Sequence, residues 1–160
     1  MSAPGGSGLP SVGSPAPDLE LPDTRGTPVR LSALRGTPVA LVFYPFAFSH
    51  VCHAELAELR DHLPEFTGRG VRVLGISTDS MFTLRAWDDE EGFGFDLLSD
   101  FWPHGEVSRC YGVFDDAKGH ARRGSFLLDA DGIVRWSVLS PAGQARDLAE
   151  YRAALTRLPS

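Results

Sequence analysis

Lysine is almost absent from this 160-residue chain, in which Lys118 is the only lysine among 15 basic residues. Chemistry that depends on a lysine amine, such as Schiff-base formation, therefore has little scope. Basic residues are also outnumbered, because 21 acidic residues give the chain a formal net charge of -6. Nucleic acids and anionic membranes attract positively charged surfaces, so neither is an expected partner.

Long apolar runs and cysteines are scarce as well. No segment reaches the roughly 20 apolar residues of a membrane helix, and residues 1–17 have neither the basic start nor the apolar run of a signal peptide. The two cysteines, Cys52 and Cys110, are expected to be free thiols in a reducing compartment. We expect a cytoplasmic protein with a flexible tail at residues 1–11 and a single domain at residues 12–160.

The residues that are present alternate between strand and helix patterns. A continuous apolar run at residues 38–44 predicts a strand buried on both faces, and residues 51–66 have helical spacing that Pro64 should interrupt. Further along, the pattern predicts strands at 71–77 and 95–99, helices at 80–91, 106–111 and 146–158, and a hairpin of strands 124–129 and 133–136. This order predicts an α/β protein with a thioredoxin-like fold, a central mixed sheet flanked by helices.

The segment from Pro45 to Cys52 joins the first buried strand to the following helix. A thiol in the first turn of a helix lies near unpaired backbone N–H groups and the positive end of the helix dipole, and both favour the thiolate. A hydroxyl from Ser49 beside the sulfur would hydrogen-bond the thiolate and an incoming peroxide oxygen. Pro45 would fix the backbone and keep a competing N–H group away. Together these features predict a pocket that reduces peroxides.

This segment resembles the signature of the peroxiredoxins, which is a proline, three residues, a threonine or serine, two residues and the reactive cysteine. Pro45, Ser49 and Cys52 match its fixed positions, with serine where threonine is commoner. The chain resembles the family from Val12 onward. The stretches that are similar to its one-cysteine branch, typified by alkyl hydroperoxide reductase E, are residues 59–66 and 98–105.

The resemblance implies a thiol-dependent peroxidase that reduces hydrogen peroxide, alkyl hydroperoxides or peroxynitrite through a sulfenic acid on Cys52. It implies that Arg123, rather than Arg122, faces the thiolate and that Glu55 orients the hydrogen bonds of the pocket. The alternatives are a surface ion-pair residue at position 123 and a solvated glutamate at position 55. The implied partners are a hydroperoxide, an external thiol or a glutaredoxin-like or thioredoxin-like reductant, and a second copy of the chain. The resemblance implies no cofactor and no metal.

Cys110 lies in a predicted helix, where resolving cysteines of this family do not usually fall. We therefore favour a small buried apolar residue at this position, which leaves a one-cysteine cycle with an external reductant. A resolving or intermolecular thiol stays open as the alternative, and it would require the two sulfurs to come within disulfide distance.

Two other classes of protein compete with a peroxidase. His50, Cys52 and His53 could ligate a metal, as in copper chaperones of thioredoxin-like fold, although no further ligand group is visible. The chain could also be a non-catalytic binding module, whereas a thioredoxin-type disulfide oxidoreductase is disfavoured because no second cysteine follows Cys52 closely. Several aromatic residues could line the pocket or a dimer face, with a plain core role as the default: Phe46, Phe48, Phe101, Trp102 and Tyr111.

Overall fold

A computed structural model describes residues 8–141 and 143–159. Its strands are β1 (Glu20–Pro22), β2 (Pro28–Arg30), β3 (Val39–Phe43), β4 (Arg72–Ser77), β5 (Asp96–Ser99), β6 (Phe114–Asp115), β7 (His120–Ala121), β8 (Gly124–Leu128) and β9 (Val134–Leu139). Its α-helices are α1 (His50–Asp61), α2 (Pro64–Thr67), α3 (Met81–Glu91), α4 (Glu106–Cys110) and α5 (Leu148–Leu155).

The central sheet has five strands in the order β5-β4-β3-β8-β9. β3, β4 and β5 run parallel to one another, whereas β8 is antiparallel to both β3 and β9. The carboxyl ends of β3, β4 and β5 therefore lie at one edge of the sheet, where the loop that leads into α1 begins. The mixed sheet with flanking helices confirms the predicted thioredoxin-like fold.

The core covers both faces of this sheet, because every residue of β3 is buried. Side chains alternate along a strand, so Leu41 and Phe43 join one apolar cluster while Ala40 and Val42 join another on the opposite face. The second face also carries Leu59 of α1. This packing fixes the end of β3, and with it the start of the next loop, between two layers of apolar side chains.

Most of the predicted elements are confirmed, with small differences at their ends. Pro64 interrupts the helical pattern as expected: α1 stops at Asp61, and Pro64 occupies the first turn of α2, where its missing N–H group costs no hydrogen bond. The last helix is shorter than predicted, since α5 begins only after Asp147, whose side chain accepts a hydrogen bond from Ala149 N–H.

Two short hairpins were not predicted, β1 with β2 and β6 with β7. Their strands of two or three residues are too short to display an alternating pattern. In the predicted tail, residues 1–7 lie outside the described part of the chain. Leu9, near the end of that tail, is half-buried and packs against the core.

Two expectations about side-chain burial are wrong. Cys110 is exposed rather than buried, because a helix of five residues turns too few side chains inward to hide its last one. Of the five aromatic residues with a default core role, only Tyr111 is fully buried, whereas Trp102 is 81% exposed and the other three are about half exposed, namely Phe46, Phe48 and Phe101.

Candidate active site

The loop after β3 delivers Cys52 to the third position of α1. Ser49 is the N-cap residue and has an extended backbone (φ -73°, ψ 152°), but its side chain makes no capping hydrogen bond. The N–H groups of the first turn of α1 thus keep no side-chain acceptor at the cap. Such groups carry the positive end of the helix dipole and attract an anion.

The Cys52 side chain is completely buried at the start of this helix. It packs in an apolar cluster between α1, α3 and the end of β3, formed with Tyr44, Leu56, Leu84, Trp87, Phe93 and Leu97. Tyr44 is also fully buried, and its hydroxyl makes no hydrogen bond within the described residues. The sulfur therefore lies against an apolar layer in the first turn of α1.

Pro45 and Ser49 both line an open pocket beside the first turn of α1. The Ser49 hydroxyl donates to the carbonyl oxygen of Phe46 at 3.0 Å, which folds the loop back on itself and leaves the lone pairs of this hydroxyl free to accept. Phe48, which lies between Pro45 and Ser49 in the chain, has a left-handed backbone with φ 68°. This conformation is strained for a residue with a side chain.

Glu55 follows Cys52 by almost one helical turn and is buried between two arginines. Its Oε1 accepts from Nη1 of Arg123, and from Nη2 of Arg146 at 3.0 Å. Its Oε2 accepts from the backbone N–H and from Nε of Arg146, at 2.6 Å and 2.9 Å. The carboxylate therefore joins α1 to Arg123, which directly precedes β8, and to the segment before α5.

Charge in this buried cluster is mutually stabilised. Burial alone would raise the pKa of Glu55, but hydrogen bonds and charge from Arg146, together with the charge of Arg123, outweigh it and hold the pKa below its ordinary value. For Arg146, burial opposes the charge, while Tyr151, Glu55 and the Cys52 sulfur outweigh burial and raise its pKa. The Glu55 carboxylate is thus ionised at neutral pH.

Arg123 and its neighbour Arg122 differ in burial and in their contacts. The Arg123 side chain is buried against Glu55, whereas Arg122 is exposed, although both line the pocket. The Nε atom of Arg123 is buried and has no hydrogen-bond partner within the described residues. Because a buried donor without a partner is costly, this N–H group is available to an oxygen or sulfur atom that enters the pocket.

Arg146 belongs to the same cluster and escaped the sequence analysis. Its Nη1 also donates to the carbonyl oxygens of Phe43 (2.7 Å) and Gly124 (2.8 Å) and to the Ser125 hydroxyl (2.9 Å). It thus connects the segment before α5 to the last residue of β3 and to the start of β8. No local signal marks it, because it precedes a helix in an irregular segment, 91 residues from Glu55.

The histidines beside Cys52 are arranged differently from metal ligands. His50 is exposed, and Nε2 of His53 lies 2.9 Å from Glu91 on α3. Within residues 8–141 and 143–159, no three side chains of histidine, cysteine, aspartate or glutamate are grouped as metal ligands. In the same part of the chain, no helix is both long and apolar enough to cross a membrane.

A buried cysteine in the first turn of a helix, on a thioredoxin-like sheet and beside an Arg–Glu–Arg cluster, defines a class of thiol enzyme. Residues 12–137 match the AhpC/TSA family, and the chain belongs to this peroxiredoxin family. The chain is 45% identical to alkyl hydroperoxide reductase E of Mycobacterium tuberculosis over 149 residues, which cover 92% of this chain and 97% of that protein. It is also 37% identical to peroxiredoxin-2 of Rattus norvegicus, covering 89% of this chain and 77% of that protein.

Solved structures agree with this assignment. The peroxidoxin BcpB of Mycobacterium tuberculosis superposes with a TM-score of 0.83 at 33% identity, covering 93% of this chain and 98% of that one. The reduced 2-Cys peroxiredoxin of Plasmodium vivax superposes with a TM-score of 0.83 at 29% identity, covering 92% and 81%. The chain is accordingly a thiol-dependent peroxidase, an enzyme that reduces hydroperoxides with electrons from thiols.

Proposed function

We propose that Cys52 is the nucleophile of this peroxidase, that Pro45, Ser49 and Arg123 line its pocket, and that Glu55 and Arg146 position the groups around it. The observation that carries the proposal is the position of Cys52 in an uncapped first helical turn, almost one turn before the carboxylate that two buried arginines share. A positive helix end and a nearby guanidinium stabilise a thiolate, which is the attacking form of the residue.

The chemistry follows from the donors in the pocket. The Cys52 thiolate attacks one oxygen of the hydroperoxide, so that an S–O bond forms while the O–O bond breaks. The leaving alkoxide or hydroxide takes a proton and departs as an alcohol or water. The unpartnered Nε of Arg123 and the free lone pairs of Ser49 are suited to hold the two peroxide oxygens in line. Glu55 touches no reacting atom and acts as a positioning residue for both arginines.

The pocket favours an organic hydroperoxide among the possible substrates. Its volume is about 680 Å³, whereas one water molecule needs roughly 10–15 Å³ of such space, so the pocket has room for much more than the two oxygens of hydrogen peroxide. Part of its wall is apolar, provided by Phe46, Val51 and Phe114. These side chains would contact the carbon part of an alkyl hydroperoxide, while hydrogen peroxide and peroxynitrite would still fit.

The electrons are proposed to come from an external thiol, either a small molecule or a glutaredoxin-like or thioredoxin-like protein. Cys110 is a poor internal alternative, because the desolvation that its exposed side chain still undergoes and the charges of Glu106 and Asp100 raise the pKa of its thiol and so reduce the thiolate fraction. A resolving or intermolecular role stays open for Cys110 only because its thiol is exposed. We further propose the cytoplasm as the compartment, since it supplies reducing thiols, and a homodimer as the assembly.

The test is stopped-flow oxidation of the wild type, Cys52→Ser and Cys110→Ser, followed by intrinsic tryptophan fluorescence. Hydrogen peroxide and tert-butyl hydroperoxide serve as oxidants. A fast phase is expected in the wild type and in Cys110→Ser but not in Cys52→Ser. A fast phase that survives in Cys52→Ser would contradict the assignment of the nucleophile. Mass spectrometry of the oxidised, non-reduced protein checks the cycle, and an abundant Cys52–Cys110 disulfide would contradict the external reductant.

A further inference from the structure

The burial of Cys52 raises a question of access that the peroxide step alone does not answer. Its side chain is completely buried, and it is absent from the residues that line the pocket, which include Pro45, Ser49 and His50. A second thiol must bring its own sulfur to about 2 Å from that of Cys52. A peroxide oxygen must also touch this sulfur but needs less room than a carbon-bearing thiol, and the loop at positions 45–49, whose Ala47 packs against the apolar cluster of Cys52, is the segment that must move to admit the larger thiol.

One carboxylate holds this loop to the sheet. The backbone N–H of Ala47 donates to Oδ2 of Asp79 at 2.7 Å. Within residues 8–141 and 143–159, it is the one hydrogen bond between positions 45–48 and a residue outside both the loop and α1. The remaining contacts of the loop are ring contacts, between Phe46 and His120 and between Phe48 and Trp87.

Asp79 is itself anchored to the rigid part of the fold. It lies two residues after the end of β4, and its Oδ2 also accepts from the hydroxyl of Ser77 at 2.7 Å. Its carbonyl oxygen accepts from the hydroxyl of Ser99, at the end of β5, at 2.6 Å. Ser77 and Ser99 are buried, so the anchor moves only with the sheet.

Apart from this hydrogen bond, the contacts of the loop hold it only weakly in its closed position. Phe46 and Phe48 are half exposed, so each contributes only part of its possible burial energy to the closed state, and the left-handed backbone of Phe48 (φ 68°) is a strained conformation that opposes closure. A charge-assisted hydrogen bond to a carboxylate shifts such a balance by roughly 10- to 100-fold. Asp79 is thus placed to set the fraction of time for which the loop is open.

We propose that Asp79 is a positioning residue that acts as a latch on the loop at positions 45–49. This inference depends on the proposed reduction of Cys52 by an external thiol. With the hydrogen bond to Ala47 made, the loop presents Ser49 and Pro45 to the peroxide. With it broken, the reductant thiolate attacks the sulfur of the Cys52 sulfenic acid. An S–S bond then forms, the S–O bond breaks, and the oxygen takes a proton and leaves as water; a second thiol releases the mixed disulfide.

The test measures three rates separately in a Cys110→Ser background. They are alkylation of reduced Cys52 by iodoacetamide, oxidation of Cys52 by tert-butyl hydroperoxide, and reduction of the sulfenic acid by 2-mercaptoethanol. Asp79→Ala is expected to speed alkylation and reduction roughly tenfold or more and to slow oxidation several-fold, since it deletes the acceptor. Asp79→Asn should lie between Asp79→Ala and the wild type, because its amide oxygen still accepts from Ala47.

The matched control is Asp100→Asn. Asp100 is a buried aspartate whose carboxylate likewise accepts from backbone N–H groups, those of Val107 and Ser108 in α4, and, among the described residues, forms no hydrogen bond with positions 45–49. Its three rates are expected to equal those of the parent. The latch is overturned if Asp79→Ala leaves alkylation and reduction unchanged, or if all three rates change alike in the Asp79 and Asp100 variants.

The alkylation rate needs no peroxide chemistry, so the two proposals fail in different ways. If the parent protein shows no oxidation at Cys52 while Asp79→Ala is still alkylated faster, the nucleophile assignment fails and the latch on the loop stands. If the parent is oxidised normally and the Asp79 variants are alkylated at the parent rate, the peroxidase stands and the latch fails.

Discussion

At the scale of single residues, Glu55 has the most demanding environment in the site. One buried carboxylate accepts hydrogen bonds from two buried guanidinium groups, those of Arg123 and Arg146. Removing one member of a buried ion cluster leaves the others desolvated and unpaired, which costs far more than the loss of an exposed pair. Although Glu55 touches no reacting atom, the orientation of both arginines depends on it.

Glu55→Gln is predicted to lower the free energy of unfolding at pH 7 by about 3 kcal/mol. The pKa of Glu55 is lowered in the fold, so its contribution is complete above the ordinary carboxyl value of about 4.3 and is lost as the pH falls through the lower folded value. Urea unfolding from pH 8 to pH 3 measures it. The difference between wild type and Glu55→Gln should be constant above about pH 5 and shrink below it.

Glu65→Gln is the control for that series, since Glu65 forms an exposed pair with Arg152 on the surface. Its effect on unfolding should be much smaller at every pH. The interpretation of Glu55 would be wrong if both variants lost the same stability, or if the deficit of Glu55→Gln did not depend on pH in the acid range.

At the scale of elements, two helices begin on a serine and use it differently. Ser49 before α1 and Ser80 before α3 have almost the same backbone angles, φ -73° and ψ 152° against φ -67° and ψ 155°. Ser80 accepts from the N–H of Thr83 at 3.2 Å and caps its helix, whereas the Ser49 hydroxyl turns back to Phe46. The first serine thus leaves the helix end open for an anion, and the second closes it.

Exchanging each serine for alanine should therefore separate stability from activity. Ser80→Ala is predicted to lower the free energy of unfolding by about 1 kcal/mol, the usual value of an N-cap, with an unchanged rate of peroxide reduction. Ser49→Ala is predicted to leave stability nearly unchanged and to slow oxidation of Cys52 by roughly 10- to 100-fold, the effect of one lost donor or acceptor in a reacting pocket. Urea unfolding and stopped-flow fluorescence give the two quantities. Equal losses of stability in both variants would contradict the different use of the two serines.

Local patterns explain which elements the sequence could predict. The strand β3 and the helix α1 follow from a continuous apolar run and from helical spacing, and the position of Cys52 at their junction follows from both. Arg146 could not be found in this way, since its partner Glu55 lies 91 residues earlier and only the closed fold brings them together. The burial of Cys110 was wrongly predicted because five residues of α4 define no apolar face.

At the scale of the whole molecule, the exposed aromatic side chains are concentrated near the active-site edge of the sheet. Phe46 and Phe48 follow β3, while Phe101 and Trp102 follow β5. β3 and β5 both run parallel to β4, so their carboxyl ends lie at the same edge. Large exposed aromatic groups at one edge are typical of a protein interface, and they support the proposed homodimer.

Trp102→Asp is predicted to weaken that dimer by about 2 kcal/mol, or roughly 30-fold in Kd, as for a central interface tryptophan. The side chain is 81% exposed, so the fold of the single chain should be unaffected. Val12→Asp is the matched control: Val12 is 61% exposed but lies next to Gly13, which bonds to Val134 at the opposite end of the sheet. Sedimentation velocity over a range of concentrations measures both variants. A monomeric wild type, or equal Kd values for the two variants, would rule out an interface at this edge; a selective loss of dimer in Trp102→Asp would place the contact beside the pocket of Cys52.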